Sequence, residues 1–193
     1  MRTTGARAKV ERAALELFAA RGFDGVSIAE IAGTAGVAQG ALYRHYPSKQ
    51  DLAWALFSEA YRRTGAELDA IRASEARFDT RVAAMVAHVC ALYDADPALF
   101  RFMLLAQHDL LPRIGAKERT PVTVIEDVVR DAVAAREIAP VDPSSGTAAI
   151  LGVVLQTSVF HIYGRLRGSL STGAPGLAAA AIAAVRALGG DAA

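Results

Sequence analysis

Between residues 38 and 49 the chain gathers Ala38, Gln39, Gly40, Ala41, Tyr43, Arg44, His45, Tyr46 and Lys49 on one short helix and its exit. Gln and Arg carry the paired groups that match base edges in a DNA major groove, Gln best with adenine and Arg with guanine. Tyr, His and Lys offer donors for phosphate oxygens, contacts that fix register without reading sequence. Gly40 and Ala41 lack bulk, so a backbone bearing them can approach a groove floor closely. Ser27 opens the preceding helix, whose free amides can take a further phosphate. The chemistry expected here is recognition of duplex DNA. Plainer readings stand beside it: Tyr43 and Tyr46 as packing aromatics, His45 as a surface histidine, Lys49 as a solvated charge. The combination carries the argument, because each residue falls on the rim of one helix.

A second set has the chemistry of an apolar pocket with a few polar groups: Met85, His88, Val89, Phe102, Met103, Gln107, His108, Gln156, Phe160 and His161. Met and aromatic side chains line adaptable pockets, while His and Gln can orient a ligand. The occupant expected is a small apolar or amphipathic effector. Met and Phe at helical spacing also serve as ordinary core, so that reading stays open for each of them. No catalytic pattern appears: there is no phosphate-cradling glycine loop, no Gly-x-Ser-x-Gly and no His-Glu-x-x-His. An enzyme is therefore not expected, although side chains converging from several helices could build one. The four histidines have no carboxylate three or four residues on, and Cys90 is the only cysteine, so neither a metal nor another cofactor is expected.

The elements that must position the first set are legible. Val10 to Phe18 is amphipathic, and Gly22 sits where a left-handed cap would end that helix. Ser27 followed by Glu30 is a capping box, starting a helix from Ile28 to about Thr34. Gly36 supplies the positive φ of a sharp turn. Val37 and Leu42 then anchor a second short helix against Ile31 and Ala32, and Pro47 terminates it. Ser48 with Asp51 starts the next helix by the same capping logic. Two short helices, a glycine turn and a small residue at the crossing make a helix-turn-helix.

The run Ser27-Ile28-Ala29-Glu30-Ile31-Ala32, then Ala35-Gly36-Val37-Ala38-Gln39-Gly40-Ala41-Leu42-Tyr43-Arg44-His45-Tyr46-Pro47-Ser48-Lys49-Gln50-Asp51-Leu52, closely resembles the DNA-binding domain of the TetR (tetracycline-repressor-like) family. Leu17-Phe18-Ala19-Ala20-Arg21-Gly22-Phe23 is similar to the end of that family's first helix. The resemblance covers about residues 8–60, and a Phe is common in the family where Tyr46 stands. It implies a homodimeric transcriptional regulator, all-helical, with a C-terminal domain that binds a small effector.

The rest of the chain fits an all-α protein of about nine helices and no sheet: an N-terminal three-helix helix-turn-helix domain, residues 1–50, and a C-terminal helical bundle for ligand binding and dimerisation, residues 51–193. With 53% hydrophobic and 21% charged residues, disorder is excluded as the overall class. Residues 1–50 carry seven basic against four acidic side chains, the remainder 14 against 16, a head mildly suited to nucleic acid. Phe78, Val82, Met85, Val89 and Leu92 share one helical face, as do Val122, Ile125, Val128, Val129 and Ala132. The helix from Lys49, with Leu52, Leu56, Phe57, Ala60, Tyr61, Thr64, Leu68 and Ile71, is long enough to link head and body mechanically. Cys90 is expected to be buried and inert. Pro143 to Gly164 carries no formal charge and could span a bilayer by length, but its Ser, Thr, Gln and His content favours a helix buried in a bundle or against a second subunit. The expectation is therefore a soluble cytoplasmic protein without a membrane segment, its N-terminus no secretory signal. Its partners would be an operator duplex and a second copy bound through about Pro143–Arg167 and Pro175–Leu188.

Overall fold

The computed structural model describes residues 3–115 and 118–190, which leaves Met1 and Arg2 of the N-terminal reading outside it. Nine α-helices and one 3-10 turn are present among these residues, with no strand. They are α1 (Thr3–Arg21), α2 (Ile28–Ala35), α3 (Gln39–Tyr43), α4 (Lys49–Ser74), α5 (Phe78–Ala95), α6 (Pro97–Leu110), α7 (Pro121–Ala134), α8 (Pro143–Ile162) and α9 (Leu170–Gly190), with the 3-10 turn at Leu111–Arg113. The chain divides into two compact units, Met1–Tyr61 with Asp96–Glu118, and Arg62–Ala95 with Arg119–Ala193.

That division differs from a boundary after residue 50 for two reasons. Leu52, Ala53, Leu56 and Phe57 at the start of α4 are buried with the helix-turn-helix residues, so the first unit runs on to Tyr61. The other reason is α6, which returns from far along the chain. Its Phe102 stacks on Phe18 of α1 with ring centroids 5.6 Å apart, and Asp96, the α6 N-cap, pairs with Arg12 of α1 at 2.7 Å. A contact between residues 84 apart leaves no local pattern to read. Phe18, Ile31, Leu42, Leu52 and Phe57 form the centre of this unit's core.

The second unit has its own core, built from Leu68, Phe78, Val82, Val86, Val124, Val128, Val129, Leu170, Ala181 and Val185. The helical face read from α5 points into it at Phe78, Val82 and Met85, and that of α7 at Ile125, Val128, Val129 and Ala132. Helix starts are fixed by local chemistry. Thr120 accepts from the Thr123 amide ahead of Pro121, and Asp142 accepts from the Ser145 amide at 2.8 Å ahead of Pro143. Gly146 lets α8 lie close on α7, since a Cβ there would come within 2.9 Å of Val129 Cγ1.

α9 begins earlier than the glycines and proline at 173–176 suggest. Asp94 at the end of α5 accepts from Ser169 Oγ at 2.6 Å and from the Leu170 and Ser171 amides at 2.9 Å each. A cap supplied from 75 residues upstream starts the helix at Leu170 and carries it through Pro175. Pro143–Ile162 and Leu170–Gly189 are each long and apolar enough to cross a membrane by length and composition, and only 28% of either window is buried within this chain.

Candidate nucleic-acid interface

The first unit presents α3 on a tightly determined scaffold. Ser27 caps α2 by accepting from the Glu30 amide at 3.2 Å, and the Glu30 carboxylate accepts from both the Ser27 amide and its hydroxyl at 2.8 Å. These bonds from Ser27, with Arg21 alongside at 2.8 Å, hold the Glu30 carboxyl down to about 2. Gly36 then turns the chain at φ +66°, its amide donating back to Gly33 O and the Val37 amide to Ala32 O. Ile31, Ala32 and Leu42 are buried where the two helices cross, as the sequence pattern requires. α3 is shorter than the proline stop implies. It ends at Tyr43, because the Leu42 carbonyl takes the amides of both His45 and Tyr46 in a tight turn.

The expected readers divide into two groups. Ala38, Gln39, Gly40, Tyr43 and Arg44 are all exposed, Ala41 and His45 are half-buried, and Tyr43 stands 49% open to solvent. Of those seven, Gln39, Tyr43, Arg44 and His45 carry side-chain donors, while Ala38, Gly40 and Ala41 leave the surface between them low. Ser27 is exposed too, but its hydroxyl and amide are committed to the capping box, and the adjacent Glu30 charge already occupies the helix N-terminus. An open surface depression beside it is lined by Asp24, Gly25, Val26, Ser27, Ile28, Glu30, Tyr43 and Lys49.

Tyr46 and Lys49 point inward. Tyr46 is 6% exposed and its hydroxyl donates to Glu11 Oε1 of α1. Burial first and the bond to Glu11 second push this phenol up to about 12, so it remains a neutral donor. Glu11 in turn accepts from Arg7 Nε at 2.7 Å, and the Arg7 guanidinium lies 6.0 Å from the centre of the Tyr46 ring. Lys49 Nζ donates to the carbonyls of Phe23 and Val26, both at 2.9 Å, and sits 4.2 Å from the Phe23 ring centre. Both residues hold the head together in this geometry. The packing alternative read for Tyr46 describes its ring, while nothing local in the sequence revealed the two carbonyls that Lys49 reaches. Arg7 was missed altogether, although its spacing of four from Glu11 is a readable helix pair.

The pocket candidates fall into two different cores. Phe102 is buried against Phe18 in the first unit, Met103 packs on that same core, and Gln107 beside them is half-buried. In the second unit Met85 is core, Val89 packs against it, and Gln156 and Phe160 on α8 are exposed, Phe160 by 47%. His88 Nε2 lies 3.0 Å from Glu67 Oε2, a partner on α4 that satisfies it, and the His161 ring packs edge-on against Tyr93. His108 is exposed. Cys90 is fully buried, and burial pushes its thiol up, as an inert cysteine requires. Among the described residues no group of three or more His, Cys, Asp or Glu could hold a metal.

Fold and head together define the class: an all-helical protein carrying a helix-turn-helix. Residues 12–56 match the family described as bacterial regulatory proteins, tetR family. The chain is also similar to MftR of Mycobacterium tuberculosis, named as a candidate mycofactocin biosynthesis transcriptional regulator, at 51% identity over 45 residues. That match covers 23% of this chain and 23% of the relative, so the chain aligns with about a quarter of the curated protein's length. Solved structures extend the likeness to the whole fold. The transcriptional regulator FadR from Bacillus subtilis, solved in complex with stearoyl-CoA, has a TM-score of 0.72 at 17% identity, over 92% of this chain and 98% of that one. AibR, solved with isovaleryl coenzyme A and operator DNA, has a TM-score of 0.69 at 24% identity, over 90% and 96%.

Proposed function

We propose that this chain is a cytoplasmic, ligand-responsive transcriptional regulator that binds an operator duplex as a homodimer, most simply a repressor released by its effector. The observation that carries the reading is the exposed rim of Gln39, Gly40, Tyr43 and Arg44 on a helix whose other face, at Leu42, is locked into a core. A short helix so presented fits the major groove, with Gln39 and Arg44 on base edges and Tyr43 on phosphate. Two-fold pairing of such heads requires an approximately palindromic site.

The second copy would dock on α8 and α9. Gly152, Gln156, Phe160 and Tyr163 follow one another along the exposed side of α8, with Ala179, Ala183 and Leu188 along α9. Apolar surface of this extent on a non-spanning protein marks an interface, and small residues on α9 allow close helix contact. The effector would bind among the body helices, with Met85 and Val89, which pack together in the second unit's core, as wall residues of a site that opens on binding. Acyl-coenzyme A thioesters, found with FadR and AibR, are the ligands to screen first. Effector binding would favour a head arrangement that no longer fits the operator, a population shift.

The test is selection of bound sequences from a random duplex pool at a stated salt concentration. Enrichment of an inverted repeat supports both recognition and two-fold assembly. A folded protein that enriches no sequence would sink the regulator reading and leave a helical ligand-binding protein or enzyme.

A further inference from the structure

Tyr46, Glu11 and Arg7 form a relay running outward from the exit of α3. The phenol is buried and fixed, its hydroxyl donates to Glu11, and Glu11 holds Arg7 Nε at 2.7 Å. The guanidinium also interacts with the Tyr46 hydroxyl directly, and of its five N–H groups these two partners leave others unused. The Arg7 side chain is nonetheless 52% open, with its guanidinium 6.0 Å from the centre of the Tyr46 ring at the exit of α3. An arginine anchored through Nε presents its outer fork in one orientation. That fork is the geometry a phosphate oxygen pair accepts bidentately.

We infer that Arg7 is a DNA-phosphate contact and that Tyr46 is its positioning residue, acting through Glu11 and through its own contact with the guanidinium. The inference rests on the DNA-binding reading and deepens it, adding an α1 contact to the α3 rim. It also gives the Tyr46 hydroxyl a use that a phenylalanine at this position could not supply. Glu11 remains compensated by two donors, so its charge does not stand unpaired beside the duplex.

The experiment uses the full chain as wild type, Arg7→Ala, Tyr46→Phe and the double variant, against the selected duplex and a scrambled duplex of the same length. Affinity is measured across salt concentrations, and circular dichroism checks that the helices persist. Arg7→Ala should weaken binding to both duplexes alike and flatten the log–log salt slope by about 0.9, the value of one phosphate contact. Tyr46→Phe should cost about threefold to tenfold in affinity, less than the full worth of its charge-assisted bond to Glu11 because Arg7 itself remains. In the Arg7→Ala background Tyr46→Phe should cost nothing further, which a merely structural hydroxyl would not predict. An unchanged slope in Arg7→Ala, or full additivity in the double variant, overturns the inference while wild-type binding keeps the regulator reading intact. A wild type that binds neither duplex overturns both.

Discussion

Replacing Lys49 by Met separates the two roles its chemistry allows. The ammonium donates to the Phe23 and Val26 carbonyls at 2.9 Å and lies 4.2 Å from the Phe23 ring centre, tying the α1–α2 connection to the start of α4. Hydrogen bonds from a charged donor contribute about 1.5–3 kcal/mol each where water is excluded. Lys49 is half-buried, so water recovers part of that loss, and the ring contact adds about 0.5–1 kcal/mol. A net destabilisation of about 2–3 kcal/mol is expected, with the methionine stem preserving the apolar packing. For a urea m-value of about 1–3 kcal/mol/M, the midpoint should fall by about 1 M. Trp54, the single tryptophan, packs against the first unit's core and reports its unfolding by fluorescence. If Lys49 instead met a phosphate, stability would hold and the salt slope of DNA binding would flatten by about 0.9. Unchanged stability with a flatter slope refutes the structural role.

Three further outcomes test the packing. Asp94→Ala should destabilise the second unit by about 1–2 kcal/mol, as loss of a helix cap does. Burial alone would raise the Asp94 carboxyl, but bonds from Ser169, Ser171 and the Leu170 amide hold it well below the ordinary range. A depressed carboxylate stabilises above its unfolded value of about 3.9, and the gain is lost as pH falls toward the folded value, so thermal melts of variant and wild type should converge in acid. Phe102→Ala should cost about 3–5 kcal/mol, read by Trp54 fluorescence in urea, because it empties a core position stacked on Phe18. Gly65→Ala places a Cβ 2.8 Å from the Arg119 carbonyl oxygen and 3.1 Å from Thr120 backbone atoms. That backbone cannot yield as a side chain would, so the clash should outweigh the gain in helix propensity of about 1 kcal/mol, and the melting temperature should fall.

The sequence was most informative where the determining interaction is local. The Ser27–Glu30 capping box, the positive φ of Gly36, the Ser48–Asp51 start and the apolar face of α5 all depend on residues within a few positions of one another. Failures came where the partner lies far along the chain. α9 starts at Leu170 because of Asp94, Phe102 belongs to the first core because of Phe18, and Lys49 turns inward because of Phe23 and Val26. An amphipathic pattern shows that a residue will be buried, but not in which core. Hence the pocket candidates, chosen by residue type, were divided between two units.

Lys49 is committed to carbonyls and Tyr46 to Glu11, while Arg7, Lys9 and Arg44 stay exposed. Arg12 is paired with Glu16 and Asp96, and Arg21 with Glu30, while Arg44 is exposed and in no ion pair among the described residues. Non-specific affinity is set chiefly by the number of phosphates neutralised, each contributing about 0.9 to the salt slope. On the proposed reading, with Lys49 and Tyr46 turned inward, phosphate contact falls chiefly to Arg7 and discrimination to contacts of Gln39 and Arg44 at base edges. Gln39→Ala should accordingly shift the preferred bases while leaving binding to a scrambled duplex nearly unchanged. An identical preference profile after that substitution would remove Gln39 from the readers and leave Arg44 to carry discrimination alone.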